Sequence, residues 1–370
     1  MPDWPWEEAL RGVDLDLEDR SRVSALPWRG QFSPMTVERL MQALAPAGGM
    51  VVDPFVGSGT ALLEAARSER PSIGLDVNPA AVAFARCAAL ASLAPDDRDA
   101  ALDAACAVVE REGVELPGLT GTIQLAHAVA LLSRNASVET ARARLEALLW
   151  DLPPSPVETS VLLGDARATG LPSASADFVI TSPPYINVFN YHQFGRPLSD
   201  AFGWPVLAAA RSEIGSNRQN RSNRFRTVVQ YAIDMGLVVA EIARLLRDRA
   251  FAVLVLGRVS RVRGVAFMNG GIVGELADAM KAFDARTKGQ RFFVNRFGET
   301  IAEDVLILRR AGTASVPEDQ KVTELGRSVG RRALEGATAT PDARQELAAA
   351  IEDVPAIDSS PMIAPALDLV

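Results

Sequence analysis

The chain has 370 residues, 48% of them hydrophobic, and a formal net charge of −8. That composition supports a sizeable buried core and argues against a protein coated in positive charge. With only two cysteines and two histidines, it also leaves too few ligands for a zinc cluster or a disulfide framework.

No apolar run approaches the roughly 18 residues a membrane span needs. The opening MPDWPWEEALRG has neither a basic nor an apolar stretch, so no signal peptide is expected and a cytoplasmic location is. Residues 1–26 are acidic, carry Trp4 and Trp6, and read as an N-terminal arm. MVVDP, 50–54, reads as a buried strand, followed by a glycine turn and the helix-like TALLEAARSE. SIGLDV, 72–77, is a second strand, with NPAAVAFARCAALASL as its helix. Cys87 and Cys106 both fall in alanine-rich, helix-like sequence and read as small core residues. Residues 97–150 look helical and are broken by ELPGLTG and NAS. SVLLGDA, 160–166, and ADFVITS, 176–182, are strands three and four. An amphipathic helix is expected over 228–247 and a fifth strand over 250–257; QRFFVNRFG and EDVLILRR read as a closing antiparallel pair. After Arg310 the composition turns to alanine, proline and glutamate, and 311–370 reads as an acidic, partly disordered tail. Strands alternating with helices define an α/β protein with a mostly parallel sheet.

VVDPFVGSGTALLEAA places Asp53 at a strand end, with Gly57 and Gly59 making the turn into a helix. Glycines there let backbone approach a ligand, and the helix amides from Thr60 onward favour an anionic group. The spacing is neither that of a dinucleotide fingerprint nor that of a P-loop. Asp76 ends the second strand about 20 residues on, where an acid suits the hydroxyls of a ribose. Asp165, in LLGDA, ends the third strand and suits an adenine amino group. Strand-end acids also cap helices. Three of them with the glycine turn describe a nucleoside bearing a carboxylate, which S-adenosylmethionine is.

Ser182-Pro183-Pro184-Tyr185 ends the fourth strand. Two prolines stop a strand on their own account, so the segment is either a plain terminator or a rigid reactive loop. In INVFNYHQFGRP, which follows, Phe189, Tyr191 and His192 either wall a pocket or pack beneath a long loop. From Arg211 to Arg263 there are eleven arginines against four acids. Within this stretch Arg218, Arg221, Arg224 and Arg226 stand among Asn and Ser, in a loop suited to phosphate contact or simply to solvation. Glu213, beside them, has no assigned role.

Through these segments the chain resembles the amino-methyltransferases of DNA over roughly residues 27–310. QFSPMTVERLMQAL is similar to the family segment over the methionine part of the cofactor, with Gln31, Phe32 and Ser33 as contacts. DPFVGSGT is similar to its cofactor loop through Asp53, Pro54, Phe55, Gly57, Gly59 and Thr60. Asp76 with Val77 matches the ribose side, Asp165 with Ala166 the adenine side, and TSPPY the catalytic loop. Two departures stand out: the cofactor loop precedes TSPPY, where family members often have the reverse, and no large module for reading a target sequence is evident.

The resemblance implies a Rossmann-like class I S-adenosylmethionine-dependent methyltransferase. Its mostly parallel seven-stranded sheet would carry helices on both faces, a helical insertion over about 92–155 and a basic loop over about 186–227. It further implies transfer of a methyl group to an exocyclic amine of a DNA base. N4 of cytosine is slightly favoured over N6 of adenine, because serine precedes the prolines. DNA is the implied partner, alongside a restriction–modification partner. RNA, a protein amide, or S-adenosylmethionine binding without catalysis are the alternatives. Neither cysteine adjoins a proline or a strand-end loop, so attack on cytosine carbon-5 is not expected.

Overall fold

The structure is a computed structural model and describes residues 28, 33–112, 126, 129–130, 137–152, 154–187, 191–193, 195–204, 206–294, 298–312 and 314–363. The N-terminal arm, Gln31, Phe32, His127 and Phe189 lie outside the described residues.

The first half of the domain runs α1 (Pro34–Leu44), β1 (Val51–Asp53), α2 (Thr60–Arg67), β2 (Ser72–Asp76) and α3 (Pro79–Ala85). It continues with α4 (Pro95–Glu112), α5 (Val138–Asp151), β3 (Thr159–Leu163) and β4 (Ala176–Thr181). The chain then passes through α6 (Arg196–Ala201) and α7 (Val206–Ser212) to α8 (Arg226–Leu245) and β5 (Leu246–Gly257). A hairpin, β6 (Val259–Val262) and β7 (Val265–Met268), leads into α9 (Asn269–Met280), and β8 (Phe283–Val294) and β9 (Thr300–Arg310) complete the sheet. Two further helices, α10 (Asp319–Glu335) and α11 (Arg344–Asp353), follow.

The seven strands are ordered β3-β2-β1-β4-β5-β9-β8. The first five pair in parallel, and β9 and β8 are antiparallel. The expected mostly parallel, seven-stranded α/β sheet is therefore present. A parallel sheet must be covered on both faces, and its central strands are accordingly apolar without interruption. In β5, Phe251, Val253 and Val255 join the core formed with α1, α2 and α3. The alternating Ala252, Leu254 and Leu256 join the core formed with α8, α9 and α10. The chain starts at β1, steps outward to β3 and returns to β4, so the order switches between β1 and β4. In such sheets the ligand crevice lies at the carboxyl ends of the strands flanking that switch.

Two of the expected helical segments of the insertion are α4 and α5. Arg98 ties the insertion to its base, donating to Ala91 O (2.9 Å), Leu93 O (2.9 Å) and Leu152 O (2.7 Å). The β6–β7 hairpin was not anticipated from the sequence. Its turn residues Arg263 and Gly264 both have positive φ (52° and 81°), as a two-residue hairpin turn of this hand requires.

The expectation of a partly disordered tail is corrected over residues 314–363. Val322, Val329 and Leu334 of α10, and Leu347, Val354 and Ile357 beyond it, are buried against α8 and its neighbours. The helix-periodic face is made partly of glycine, which is why composition reads as disorder. A Cβ on Gly326 would lie 2.5 Å from Ile233 Cα, and one on Gly330 2.7 Å from Val229 Cα. The two helix backbones approach each other through these glycines. Gly326→Val is expected to destabilise the whole protein by about 1–3 kcal/mol, the usual cost of overpacking. Urea unfolding measures it, and an unchanged midpoint would mean that α10 does not dock on α8.

Candidate active site

Asp53, at the end of β1, is buried. Its Oδ1 accepts from Phe55 N (3.1 Å) and from the Thr181 hydroxyl (2.6 Å), which ties β1 to β4 across the switch. Burial pushes the Asp53 carboxyl up to about 7, against the opposing pull of these two donors, and nearby Asp76 adds to the rise. The turn that follows needs glycine twice, with φ of +51° at Gly57 and +86° at Gly59. A Cβ on Gly59 would lie 2.8 Å from Ala85 Cα, so this residue lets α2 pack on α3. Gly57 instead faces the cavity beside the Trp28 indole. Its N–H donates to Asp76 Oδ2 (3.2 Å), while Asp76 Oδ1 accepts from Asn78 N (2.9 Å). Burial raises the Asp76 carboxyl to about 6, with Glu213 contributing in the same direction.

The acid ending the third strand is held differently. Asp165 Oδ1 accepts from Arg167 N (3.0 Å) and Nε (2.8 Å), and Oδ2 from Nη2 (2.7 Å). Arg167 Nη1 donates to Asp234 Oδ1 (2.7 Å) on α8 and to the carbonyl and hydroxyl of Ser360 (2.8 Å each). Nη2 also reaches Pro361 O (3.1 Å). Ser360 returns two bonds to Asp234, from its N–H (3.0 Å) and its hydroxyl (2.7 Å). Burial pushes Asp234 up, and Arg167 opposes it. Asp165 and Ala166 line the cavity, but both Asp165 oxygens are already occupied by Arg167.

Ser182, Pro183, Pro184 and Tyr185 leave β4 and line the same cavity. The Tyr185 ring rests on Gly257, where a Cβ would stand 2.6 Å from Cε2. Its carbonyl rests on Gly215, where a Cβ would stand 2.4 Å from the oxygen. Burial raises the Tyr185 phenol, Glu303 adds to that, and hydrogen bonds with Ser182 and the Gly257 backbone act against it. The Tyr185 loop is pinned beyond the tyrosine by Ile186 N donating to Asn269 Oδ1 (3.4 Å) and Asn187 Nδ2 donating to Arg261 O (3.4 Å).

The cavity thus brings together Asp53, Pro54, Phe55, Gly57 and Thr60 from the first unit, Asp76 and Val77 from the second, and Asp165 and Ala166 from the third. Ser33 precedes α1 and is half-buried, outside this lining. Trp28 and Glu213 are wall residues that the sequence did not reveal. Trp28 lies edge-on to Phe84 at 5.6 Å. Glu213, just after α7, accepts from the His192 backbone N–H and from His192 Nδ1 (2.8 Å). His192 Nε2 accepts from Arg218 (3.2 Å) and Gln193 (2.8 Å), which assigns the neutral tautomer with the proton on Nδ1. Burial raises Glu213 to about 8 and holds His192 below the ordinary imidazole value. The only earlier hint of Glu213 was an acid stranded in a basic stretch.

The four arginines nominated for phosphate contact separate. Arg218 supports His192, and Arg226 pairs with Asp353 (2.8 Å from Nε) on α11. Arg221 and Arg224 are exposed. Among the described residues no cluster of histidine, cysteine and acidic side chains could hold a metal ion, and no helix is long and apolar enough to cross a membrane.

A sheet of this order, with a glycine turn after β1, an acid ending β2 and a ligand cavity at the β1/β4 switch, defines a Rossmann-like class I methyltransferase fold. Residues 15–86 match the family described as DNA methylase, N6_N4_Mtase. Over 85 residues the chain is 34% identical to the type II methyltransferase M.MjaII of Methanocaldococcus jannaschii, covering 20% of this chain and 16% of that one. Over 58 residues it is 38% identical to the type II methyltransferase M.ScaI of Streptomyces caespitosus, covering 16% and 19%. The chain thus spans less than a fifth of the length of either curated relative. Among solved structures, TrmN from Thermus thermophilus aligns with a TM-score of 0.36 at 16% identity, covering 76% of this chain and 50% of that one. The rRNA methyltransferase aviRa from Streptomyces viridochromogenes aligns with a TM-score of 0.36 at 16% identity, covering 82% and 91%. The resemblance to the DNA amino-methyltransferases is borne out over the segment that carries Asp53, the glycine turn and Asp76.

The residues present fit S-adenosylmethionine, the cofactor of that family. Gly57 leaves room for a ligand against backbone, and Asp53, Asp76 and Glu213 are cavity carboxyls that a cationic ligand would draw towards their charged form. The raised carboxyls have a consequence for the ligand-free protein. Asp53 ionises at ordinary carboxylate pH when unfolded but only near 7 when folded. Its contribution to stability is therefore fully present in acid and lost as pH rises towards 7. Asp53→Asn, which keeps the acceptor for Thr181 and Phe55, removes that loss. It should match the wild type in urea near pH 4 and exceed it near pH 8, by at most about 4 kcal/mol. Equal stability of the two proteins at both pH values would show that Asp53 is ionised throughout.

Proposed function

We propose that this chain transfers a methyl group from S-adenosylmethionine to the exocyclic amine of a base in DNA, N4 of cytosine in preference to N6 of adenine. The observation that carries this reading is the opening of Ser182-Pro183-Pro184-Tyr185 onto the cavity lined by Asp53, Gly57 and Asp76. A nucleophile held by the loop meets a methyl donor held by the strand ends.

When bound, the cofactor supplies an electrophilic sulfonium methyl. The amine of a base is a poor nucleophile because its lone pair is delocalised into the ring. Ser182 Oγ and the Pro183 carbonyl accept from its two N–H groups and turn the lone pair out of the ring plane. The Pro-Pro unit fixes these acceptors before substrate arrives, so little reorganisation is left for the transition state. Tyr185, backed by Gly257, provides a stacking surface for a base drawn out of the helix. Asp53, Asp76 and Glu213 favour the cationic cofactor over its neutral thioether product. The exposed Arg221 and Arg224 serve as phosphate contacts. The chain acts in the cytoplasm, with DNA as its macromolecular partner and a restriction endonuclease as its counterpart.

Ser182→Ala and Tyr185→Ala should each slow single-turnover transfer of labelled methyl to duplex DNA at least tenfold, a loss of about 1.4 kcal/mol or more in transition-state stabilisation. Calorimetric affinity for S-adenosylmethionine should be unchanged in both. Tyr185→Phe retains the ring and should retain most of the rate. Gly57→Val should abolish cofactor binding in a folded protein. Wild-type rates in both alanine variants would reduce the loop to a strand terminator, and transfer to RNA or protein in place of DNA would replace the substrate.

A further inference from the structure

The large apolar side chains left exposed among the described residues are unevenly placed. Four of the seven, Val259, Met268, Phe292 and Val294, at 39–47% exposure, lie at the end of the sheet that carries the cavity; Trp150, Leu207 and Met362 lie elsewhere. The strand register shows how close they are. Gly257, on which Tyr185 rests, stands opposite Glu303, and Glu303 opposite Arg291. One row further out, Arg258 N donates to Ala302 O (3.0 Å), and Ala302 stands opposite Phe292. Phe292 is thus two strands from Arg258, or about 10 Å at ordinary strand spacing. Thr300 opposite Val294 extends the same edge.

The β6–β7 hairpin continues directly from this row. Ser260, Val262, Val265 and Phe267 are buried, and the alternate residues face solvent. On that outer face Val259 stands opposite Met268, and Arg261 opposite Ala266. The hairpin is fixed to the catalytic loop by Asn187, bonded to Arg261 O, and by Asn269, which accepts from Ile186 N and donates to Gly257 O (2.7 Å) and Ser260 Oγ (2.9 Å). Arg263 is paired with Glu346 (3.0 Å). Arg258 and Arg261 make no ion pair among the described residues, and Arg261 Nη1 donates only to Gly264 O (3.1 Å). Glu299 is the acid in the turn beyond the row.

A rim of apolar side chains interleaved with guanidinium groups that make no ion pair among the described residues, one strand row from the tyrosine that receives the base, fits a polyanion with an apolar stacked interior. Resting on the methyltransferase reading above, we propose that this rim is the face that grips duplex DNA around an extruded base. Arg258 and Arg261 contact phosphates on either side. Val259, Met268 and Phe292 press against the base steps flanking the vacated position. Apolar wedges of this kind offset part of the unstacking cost when DNA is deformed. Sequence alone placed the DNA contacts on 218–226; the fold engages Arg218 and Arg226 internally and presents this second basic segment beside the cavity.

Two variants of the full chain test the rim. In Arg258→Ala/Arg261→Ala, the dependence of log affinity on log salt, read with a labelled mixed-sequence duplex, should flatten by about 2, roughly 0.9 per lost phosphate contact. In Val259→Ser/Met268→Ser, methyl transfer to unmethylated plasmid DNA should fall at least tenfold while the salt slope stays at the wild-type value. Both should bind S-adenosylmethionine and unfold in urea as the wild type does. Phe292→Ser, on β8 and outside the hairpin, repeats the apolar test if the hairpin variant is unstable. Wild-type slope in the first variant, or wild-type transfer in the second and in Phe292→Ser, overturns the assignment. A wild-type protein that binds the cofactor but methylates no DNA would instead remove the reading on which it rests.

Discussion

The buried guanidinium of Arg167 holds the architecture of the site together. It bridges Asp165 after β3, Asp234 in the middle of α8 and the backbone and hydroxyl of Ser360 near the far end of the described chain. Two acidic side chains share one guanidinium, and all three are shielded from water. Such a group persists only where every donor and acceptor is matched, because removing one partner strands a buried charge at a cost of about 3–5 kcal/mol. Here the Ser360 N–H and hydroxyl complete Asp234, and Arg167 N and Nε complete Asp165. One wall of the cavity, the long core helix and the C-terminal segment are consequently parts of a single polar structure.

The other acids of the cavity work on a different electrostatic principle. Asp53 and Glu213 are buried and Asp76 is half-buried; none is hydrogen-bonded to a guanidinium among the described residues, and desolvation shifts each towards its protonated form, against the pull of Arg218 on Glu213. The cavity wall carries latent negative charge, held in check by desolvation. A cationic ligand relieves that desolvation cost, so ligand binding and deprotonation of these acids are linked. Asp165 differs because Arg167 already neutralises it. Its position on the cavity wall therefore contributes shape and backbone more than free charge.

Most of the parallel sheet was legible because strands covered on both faces are written as uninterrupted apolar runs, as in MVVDP and AFAVLVLG. The cavity was legible where its chemistry depends on local sequence: the glycine turn at Gly57 and Gly59, and the proline pair at 183–184. What was not legible depends on contacts between distant segments. Glu213 joins the wall because α7 folds back over the strand ends, and no spacing announces that. The order of the tail was hidden because Gly326 and Gly330 form a packing face that hydrophobicity does not register. The β6–β7 hairpin escaped notice because its turn, Arg263-Gly264, places an arginine where asparagine or aspartate would have signalled the bend.

The Arg167 cluster also sets an order of events for the growing chain. Arg167 and Ser360 are 193 residues apart in sequence, so their contact is among the least local in the molecule and closes a long loop. Strands β1 to β4 and their helices can pair as they emerge, but during that interval Arg167 and Asp165 form a pair with part of its hydrogen-bonding capacity unfilled. Only when Ser360 and Pro361 have emerged from the ribosome do Asp234 and Arg167 acquire their remaining partners. The ligand wall is thus secured late in biosynthesis, and a nascent chain is kept from a finished cavity until Ser360 has arrived.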